Sequence, residues 1–313
     1  MQVVLTQPRG FCAGVTRALE IVERALSLHG APVYVFHEIV HNQWVVDDLR
    51  RRGVVFVDDI EHVPAGSTLV FSAHGVPTRV VAHARRLGLK TIDATCPLVS
   101  KVHQQAQRFV RLGHTLVVIG RGGHDEVEGT MGRVNAPVYL VNTVDDAMAL
   151  DLPSDVSLAY VTQTTLSLDD TREVIATLKA RFPQLVGPDV SGICYANQNR
   201  QVAVRALASR VDRVLVVGAR NSSNANRLRE VAERAGVPAH LVQDATEIRP
   251  DWLEGAARIG VTSGASTPEL LVQQLIDALR TRHNGPVLPV LQLPGVQEDV
   301  LFRLPAELVE PVA

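Results

Sequence analysis

The chain has 313 residues, 46% hydrophobic and 20% charged, the make-up of a globular protein large enough for two or three compact units. Its 31 Lys and Arg against 33 Asp and Glu leave a net charge of -2, which argues against nucleic acid or an acidic membrane surface as a partner. No apolar run reaches the length of a membrane span and the N-terminus lacks a signal- or transit-peptide pattern, so the chain is expected in the cytoplasm, with its three cysteines kept as thiols.

In chain order, short β-branched runs predict strands at Val3–Leu5, Val33–Phe36, Leu69–Phe71, Leu116–Ile119, Leu158–Val161, Val214–Val217 and Ile259–Thr262. Amphipathic stretches separate them. After Cys12 the apolar positions are Val15, Leu19, Val22 and Leu26. After Cys96 they are Leu98, Val102, Ala106 and Phe109, with Pro97 suited to a first helical turn. After Cys194 they are Val202, Ala206 and Leu207. Continuous apolar strands alternating with helices predict an α/β fold whose parallel sheets are covered on both faces.

The three cysteines occupy matching places, in PRGFCAGV, DATCPLV and SGICYANQ, each between a strand-like run and an amphipathic helix. They divide the chain into three similar small modules, 14–95, 96–193 and 194–283. The third lacks a closing strand, which residues 1–13 would supply, so the modules are expected to close in a pseudo-threefold arrangement. Residues 284–313 are rich in Pro and Leu and are expected to form a C-terminal strap.

Ligands of parallel α/β sheets bind beyond the carboxyl ends of the strands, and here those ends are polar. They carry His41 and Asn42, His74, His124 with Glu126, Thr164 with Thr165, Asn221 to Asn224, and Ser266. Several start helices, where free N–H groups and a partial positive charge suit phosphate. Ser222, Ser223 and Asn224 taken singly read as helix caps, as does Ser266 ahead of Pro268 and Glu269. A lone histidine reads as a satisfied one. Six such ends in three equivalent modules, each near a cysteine, point instead to a shared anion site. Glu126 suits a proton donor, against the plain reading of an acid in a first helical turn, like Glu128.

Three unrelated buried thiols are the plain reading of the cysteines. Structural zinc calls for close pairs such as C-x-x-C, which the sequence lacks. Three widely spaced thiolates suit a central iron–sulfur cluster of the 4Fe-4S type, one per chain, with one iron lacking a protein ligand.

Taken together, PRGFCAGV, HEIVHN, SAHGV, DATCPLVSKVH, GHDEVEGTMG, TQTTLS, ICYANQNRQ, NSSN and GAS resemble the LytB/IspH family of 4-hydroxy-3-methylbut-2-enyl diphosphate reductases. The resemblance runs from Val3 to at least Gln274, and the tail DVLFRLPAEL is similar as well. It implies that Cys12, Cys96 and Cys194 ligate the cluster. It implies that His41, His74, His124, Ser222, Ser223, Asn224 and Ser266 hold the diphosphate of an allylic substrate. Thr164 would orient the substrate hydroxyl and Glu126 would deliver protons. With no flavin or NAD fingerprint in the chain, the resemblance implies ferredoxin or flavodoxin as electron donor. The chain departs from the family pattern at Asn197, where Thr is usual, and at Asp125, where Pro is common. Other readings of three cysteines are a dehydratase of the quinolinate-synthase type, a non-enzymatic iron–sulfur sensor and a structural zinc protein. The first calls for carboxylate-binding Arg or Tyr, and the second for a recognition surface that the sequence does not display.

Overall fold

The computed structural model describes residues 1–283 and 287–308. Its first elements are β1 Gln2–Leu5, α1 Ala13–His29, β2 Val33–Phe36, α2 Gln43–Arg51, β3 Val54–Val57, β4 Thr68–Phe71, α3 Thr78–Arg86 and β5 Lys90–Asp93. There follow α4 Pro97–Arg111, β6 Thr115–Ile119, α5 Asp125–Met131, β7 Val138–Val141, α6 Val144–Ala149, β8 Leu158–Thr162 and α7 Leu168–Arg181. The last are α8 Tyr195–Ala208, β9 Arg213–Val217, α9 Ser223–Arg234, β10 Ala239–Val242, β11 Arg258–Ser263, α10 Glu269–Thr281 and β12 Val290–Gln292. The fold is α/β with three parallel sheets, in two compact units.

The first unit holds residues 1–12, 41–45 and 195–301. Its sheet has the order β10-β9-β11-β1-β12. Strand β1 pairs in parallel with β11, Val3 opposite Ile259, and with β12, Val3 opposite Val290. Successive side chains of a strand face opposite ways. Val3, Leu5, Leu215 and Val217 therefore enter one core with Leu271 and Leu275 of α10. Val4, Val214 and Val216 enter the other with Val204 and Leu207 of α8 and Leu228 of α9. This two-sided burial is why the strands read as unbroken apolar runs. The tail beyond α10 contributes β12, while residues 284–286 and 309–313 lie outside the described residues.

The second unit holds residues 13–40, 46–194 and 302–313 and carries two sheets, β3-β2-β4-β5 and β7-β6-β8. Their central strands, β4 and β6, are buried almost throughout. Helix α5 runs close against the turn after β4. The Thr78 N–H donates to the Gly132 carbonyl at 3.0 Å, and a Cβ at Gly129 would stand 3.1 Å from the Gly75 oxygen.

Helix faces differ in part from the expected ones. Helix α1 buries Val15, Ala18, Ile21, Val22 and Ala25, while Leu19 and Leu26 are half-buried. Val202 of α8, expected on the core face, is 56% exposed. Of the other expected positions Leu207 is buried and Ala206 is exposed, and the buried face of α8 carries Asn197, Arg200 and Gln201 beside Val204 and Leu207, polar residues that apolar periodicity does not register.

Candidate functional site

Each cysteine stands immediately before a helix: Cys12 before α1, Cys96 before α4 and Cys194 before α8. Each is half-buried, and none is in a disulfide. Their backbone N–H groups make one repeated hydrogen bond. Cys12 donates to the Ala265 carbonyl at 3.2 Å, Cys96 to Ala73 at 3.0 Å and Cys194 to Thr164 at 3.1 Å. Ala265, Ala73 and Thr164 lie two residues past the ends of β11, β4 and β8. Every cysteine is thus tied by its main chain to a strand end that bears a candidate ligand: Ser266, His74 and Thr164 in turn.

In the first unit, Asn224 braces this turn. Its side-chain oxygen accepts from the Ala265 N–H at 2.6 Å. Its amide nitrogen donates to the Asn197 side-chain oxygen, which gives the departing residue Asn197 a defined role. One of the two amide hydrogens of Asn224 is so engaged. The plain reading of Ser266 as a cap of α10 does not hold: the position before α10 is Pro268, with no side-chain cap. The Ser266 hydroxyl instead donates to the His41 carbonyl at 2.9 Å. Asn42 caps α2 through the Val45 N–H at 3.2 Å. Ser222 caps α9, its oxygen accepting from the Ala225 N–H at 3.3 Å, which keeps its O–H as a donor. Ser223 is the first residue of α9. The first unit therefore joins Cys12 and Asn224 through Ala265, and His41 to the next residue Ser266, with Ser222 ahead of and Ser223 on the same helix as Asn224.

Arg200 is a functional support that apolar patterning missed. It is 1% exposed. One guanidinium nitrogen meets Glu298 of the tail at 3.1 and 3.2 Å and the Ala196 carbonyl at 2.8 Å. The other donates to the Gly10 carbonyl at 2.8 Å, two residues before Cys12. A buried charge is tolerated only when paired, and Glu298 is the partner. The signal in the sequence was a cation on the helix that follows Cys194, which reads equally as a solvated face.

In the second unit, Glu126 and Thr164 face each other. The Glu126 carboxyl is buried, with one oxygen accepting from the Thr164 N–H at 2.6 Å and the other from its hydroxyl at 3.0 Å. His124 precedes α5, and its Nδ1 accepts from the Glu126 N–H at 3.1 Å. An accepting Nδ1 places the ring proton on Nε2. The His74 and His124 rings meet edge to face, centroids 5.8 Å apart. His74 Nδ1 lies 3.4 Å from the Ser72 hydroxyl. This unit thus brings together His74, His124, Glu126 and Thr164, and ties Cys96 and Cys194 to that set by main-chain bonds.

Two neighbours, His37 and His103, escaped the sequence reading. Asp125 pairs with His37 Nδ1 at 2.9 Å and comes within 3.9 Å of His74 Nδ1. Its hydrogen bond, ahead of its charge, raises the His37 pKa above the ordinary value. His103 of α4 packs beneath Gly75, where a Cβ would stand 2.5 Å from its ring. Gly75 has φ +78, a left-handed conformation natural to glycine. Burial, helped by Arg133, lowers the His103 pKa to about 4.

Parallel sheets with hydroxyl, amide and imidazole groups at their strand ends, and three free cysteines tied to those ends by main-chain bonds, define the chain as an α/β protein with one repeated polar setting around its thiols. A family model described as LytB protein matches residues 3–280. The chain belongs to the LytB family. That family is iron–sulfur dependent. Among curated relatives, 4-hydroxy-3-methylbut-2-enyl diphosphate reductase 2 of Bradyrhizobium diazoefficiens is 56% identical, covering 98% of this chain and 99% of its own. The reductase of Chromobacterium violaceum is 55% identical over 98% of this chain and 97% of its own. The solved structure of the E-1-hydroxy-2-methyl-but-2-enyl-4-diphosphate reductase of Plasmodium falciparum is similar at TM-score 0.94 and 37% identity, covering 98% of this chain and 96% of that one.

Proposed function

We propose that this chain is a 4-hydroxy-3-methylbut-2-enyl diphosphate reductase, the enzyme of the last step of the non-mevalonate isoprenoid pathway. The reaction takes the allylic alcohol, two electrons and two protons to isopentenyl or dimethylallyl diphosphate and water. The observation that carries this reading is the thrice-repeated bond from a cysteine N–H to a strand-end carbonyl, which gives three thiols equivalent settings.

The donor set fits an iron–sulfur cluster. Three thiols stand in matching backbone settings, and none is consumed by a disulfide. Cys12, Cys96 and Cys194 would hold a single 4Fe-4S cluster, with one iron lacking a protein ligand. When bound, that group supplies electrons one at a time and a Lewis-acidic iron.

The remaining chemistry belongs to side chains. His41, His74, His124, Ser222, Ser223, Asn224 and Ser266 bind the diphosphate, offering ring N–H, hydroxyl and amide donors. Holding the diphosphate fixes where the hydroxyl-bearing carbon lies, which contributes through proximity and orientation. Thr164 orients the substrate hydroxyl, and its own hydroxyl, bonded to Glu126, makes a short path for a proton. Glu126 delivers the proton that lets the hydroxyl leave as water. Its burial keeps bulk water away from the carboxyl. An acidic one-electron carrier, ferredoxin or flavodoxin, supplies the electrons, and the enzyme works in the cytoplasm. No described helix is long and apolar enough to cross a membrane.

The test is anaerobic turnover of the allylic hydroxy diphosphate with dithionite and a viologen mediator. The expected result is viologen oxidation that depends on substrate, with C5 diphosphates as products. Cluster-replete protein that forms no such product refutes the proposal.

A further inference from the structure

His37 ends β2 in an unusual way. Its φ is +59, in the left-handed region that residues other than glycine seldom occupy. Its N–H is fixed to the Val57 carbonyl at 2.9 Å, and its ring leans on Phe36 at 4.0 Å between centroids. The turn so formed aims Nδ1 at the Asp125 carboxylate, 2.9 Å away. The other oxygen of that carboxylate is 3.9 Å from His74 Nδ1. A backbone strained in this way persists where the surroundings require it.

The arrangement poses an electrostatic problem. Asp125 lies beside His74 and follows His124 directly, and both of those histidines are assigned above to the diphosphate. A bare carboxylate there repels an anion. We propose that His37 is a positioning residue for this anion site: its imidazolium holds and neutralises the Asp125 carboxylate, so that His74 and His124 remain attractive to a diphosphate. The inference rests on the diphosphate role given to those two histidines.

The charged groups around the pair agree with this role. Asp125 raises the His37 pKa by hydrogen bond and by charge, and Asp58 beyond β3 adds to it, against a lesser opposing effect of burial. Glu38 is the next residue in the chain. Glu126, the neighbour of Asp125, turns its carboxyl to Thr164. His74 is a cation-capable group on the far side of Asp125. The sign follows from the raised pKa. Below it His37 is charged and Asp125 is compensated. As pH rises through it the carboxylate is exposed to the anion, and binding weakens.

The test uses the holoprotein and inorganic diphosphate as probe, so that it does not depend on turnover. Affinity is measured by calorimetry across pH for wild type, His37→Asn and Asp125→Asn. Asparagine tolerates the left-handed backbone and keeps a donor toward Asp125 without the charge. His37→Asn is expected to weaken diphosphate binding about threefold to fivefold on the acid side of the His37 titration, the scale of a partly exposed ion pair. On the alkaline side it should match wild type. Asp125→Asn should bind more tightly than wild type on the alkaline side by a similar factor. Nitrogen NMR of the His37 ring should show its titration moving to lower pH in Asp125→Asn. Parallel affinity profiles for wild type and His37→Asn overturn the inference, as does a His37 titration indifferent to Asp125→Asn. If turnover of the allylic substrate persists alongside either result, the inference alone has failed. A wild type with no affinity for diphosphate at any pH removes both readings.

Discussion

Replacing Glu126 with glutamine separates proton delivery from packing. The Glu126 side chain is 2% exposed and spends both oxygens on Thr164, at 2.6 Å to the N–H and 3.0 Å to the hydroxyl. Glutamine has the same shape. Its oxygen keeps the Thr164 N–H, and its amide nitrogen faces a hydroxyl oxygen that turns round to accept. The fold loses one charge-assisted bond for a neutral one, a cost of about 1–2 kcal/mol. The chemical step loses its acid. Positioned proton transfer contributes about a hundredfold to ten-thousandfold, so the barrier rises by about 3–5 kcal/mol. Anaerobic single turnover with pre-reduced protein measures the chemical step, and calorimetry measures substrate affinity. The expected result is a rate lower by at least about a hundredfold with affinity kept within a few-fold. Thr164→Val is the companion: it keeps the N–H and removes only the hydroxyl. A Glu126→Gln variant that turns over within about fivefold of wild type contradicts the proton-donor role.

Other outcomes follow from the same geometry. Glu298→Ala strands the Arg200 cation, which is 1% exposed, and should cost about 3–5 kcal/mol. Trp44 and Trp252 both lie in that unit, so their fluorescence in a urea titration reads its unfolding; an unchanged midpoint contradicts the role given to the pair. Gly75→Ala places a methyl 2.5 Å from the His103 ring at φ +78 and should destabilise by about 1–3 kcal/mol, read as a lower thermal midpoint and weaker diphosphate binding. His103 titrates at about 4 when folded and 6.5 when unfolded, so between these values the unfolded chain binds more protons. Stability should therefore fall, by about 3 kcal/mol from this group, as pH is lowered through that window and level off below it. His103→Gln should flatten that slope, and an unaltered slope assigns it to other groups.

The fold class was legible because the central strands are apolar on both faces. The strands that patterning passed over are β3, β5, β7, β10 and β12, and every one lies at a sheet edge. Two of these edges are largely exposed and so need not be apolar: KTID of β5 has one buried residue and VLQ of β12 has none. The cysteines stood out because each sits just before an amphipathic helix, and the candidate ligands because they are polar residues following apolar strands. The supports around them did not. Arg200 and Glu298 are 98 residues apart, and His37 and Asp125 are 88 apart, so no local pattern joins them. The capping signal in GASTPEL is not used by Ser266, because Pro268 takes the position before α10 and the Ser266 hydroxyl bonds to the His41 carbonyl.

The central claim is that three equivalent thiols hold one cluster whose remaining iron serves the substrate. Mössbauer spectroscopy of the anaerobic, iron-labelled protein with and without the allylic hydroxy diphosphate tests it most directly. The expected result is about four irons per chain, one of them distinct from the rest and altered when the diphosphate is added. A colourless zinc protein, or a set of equivalent irons indifferent to the diphosphate, contradicts it.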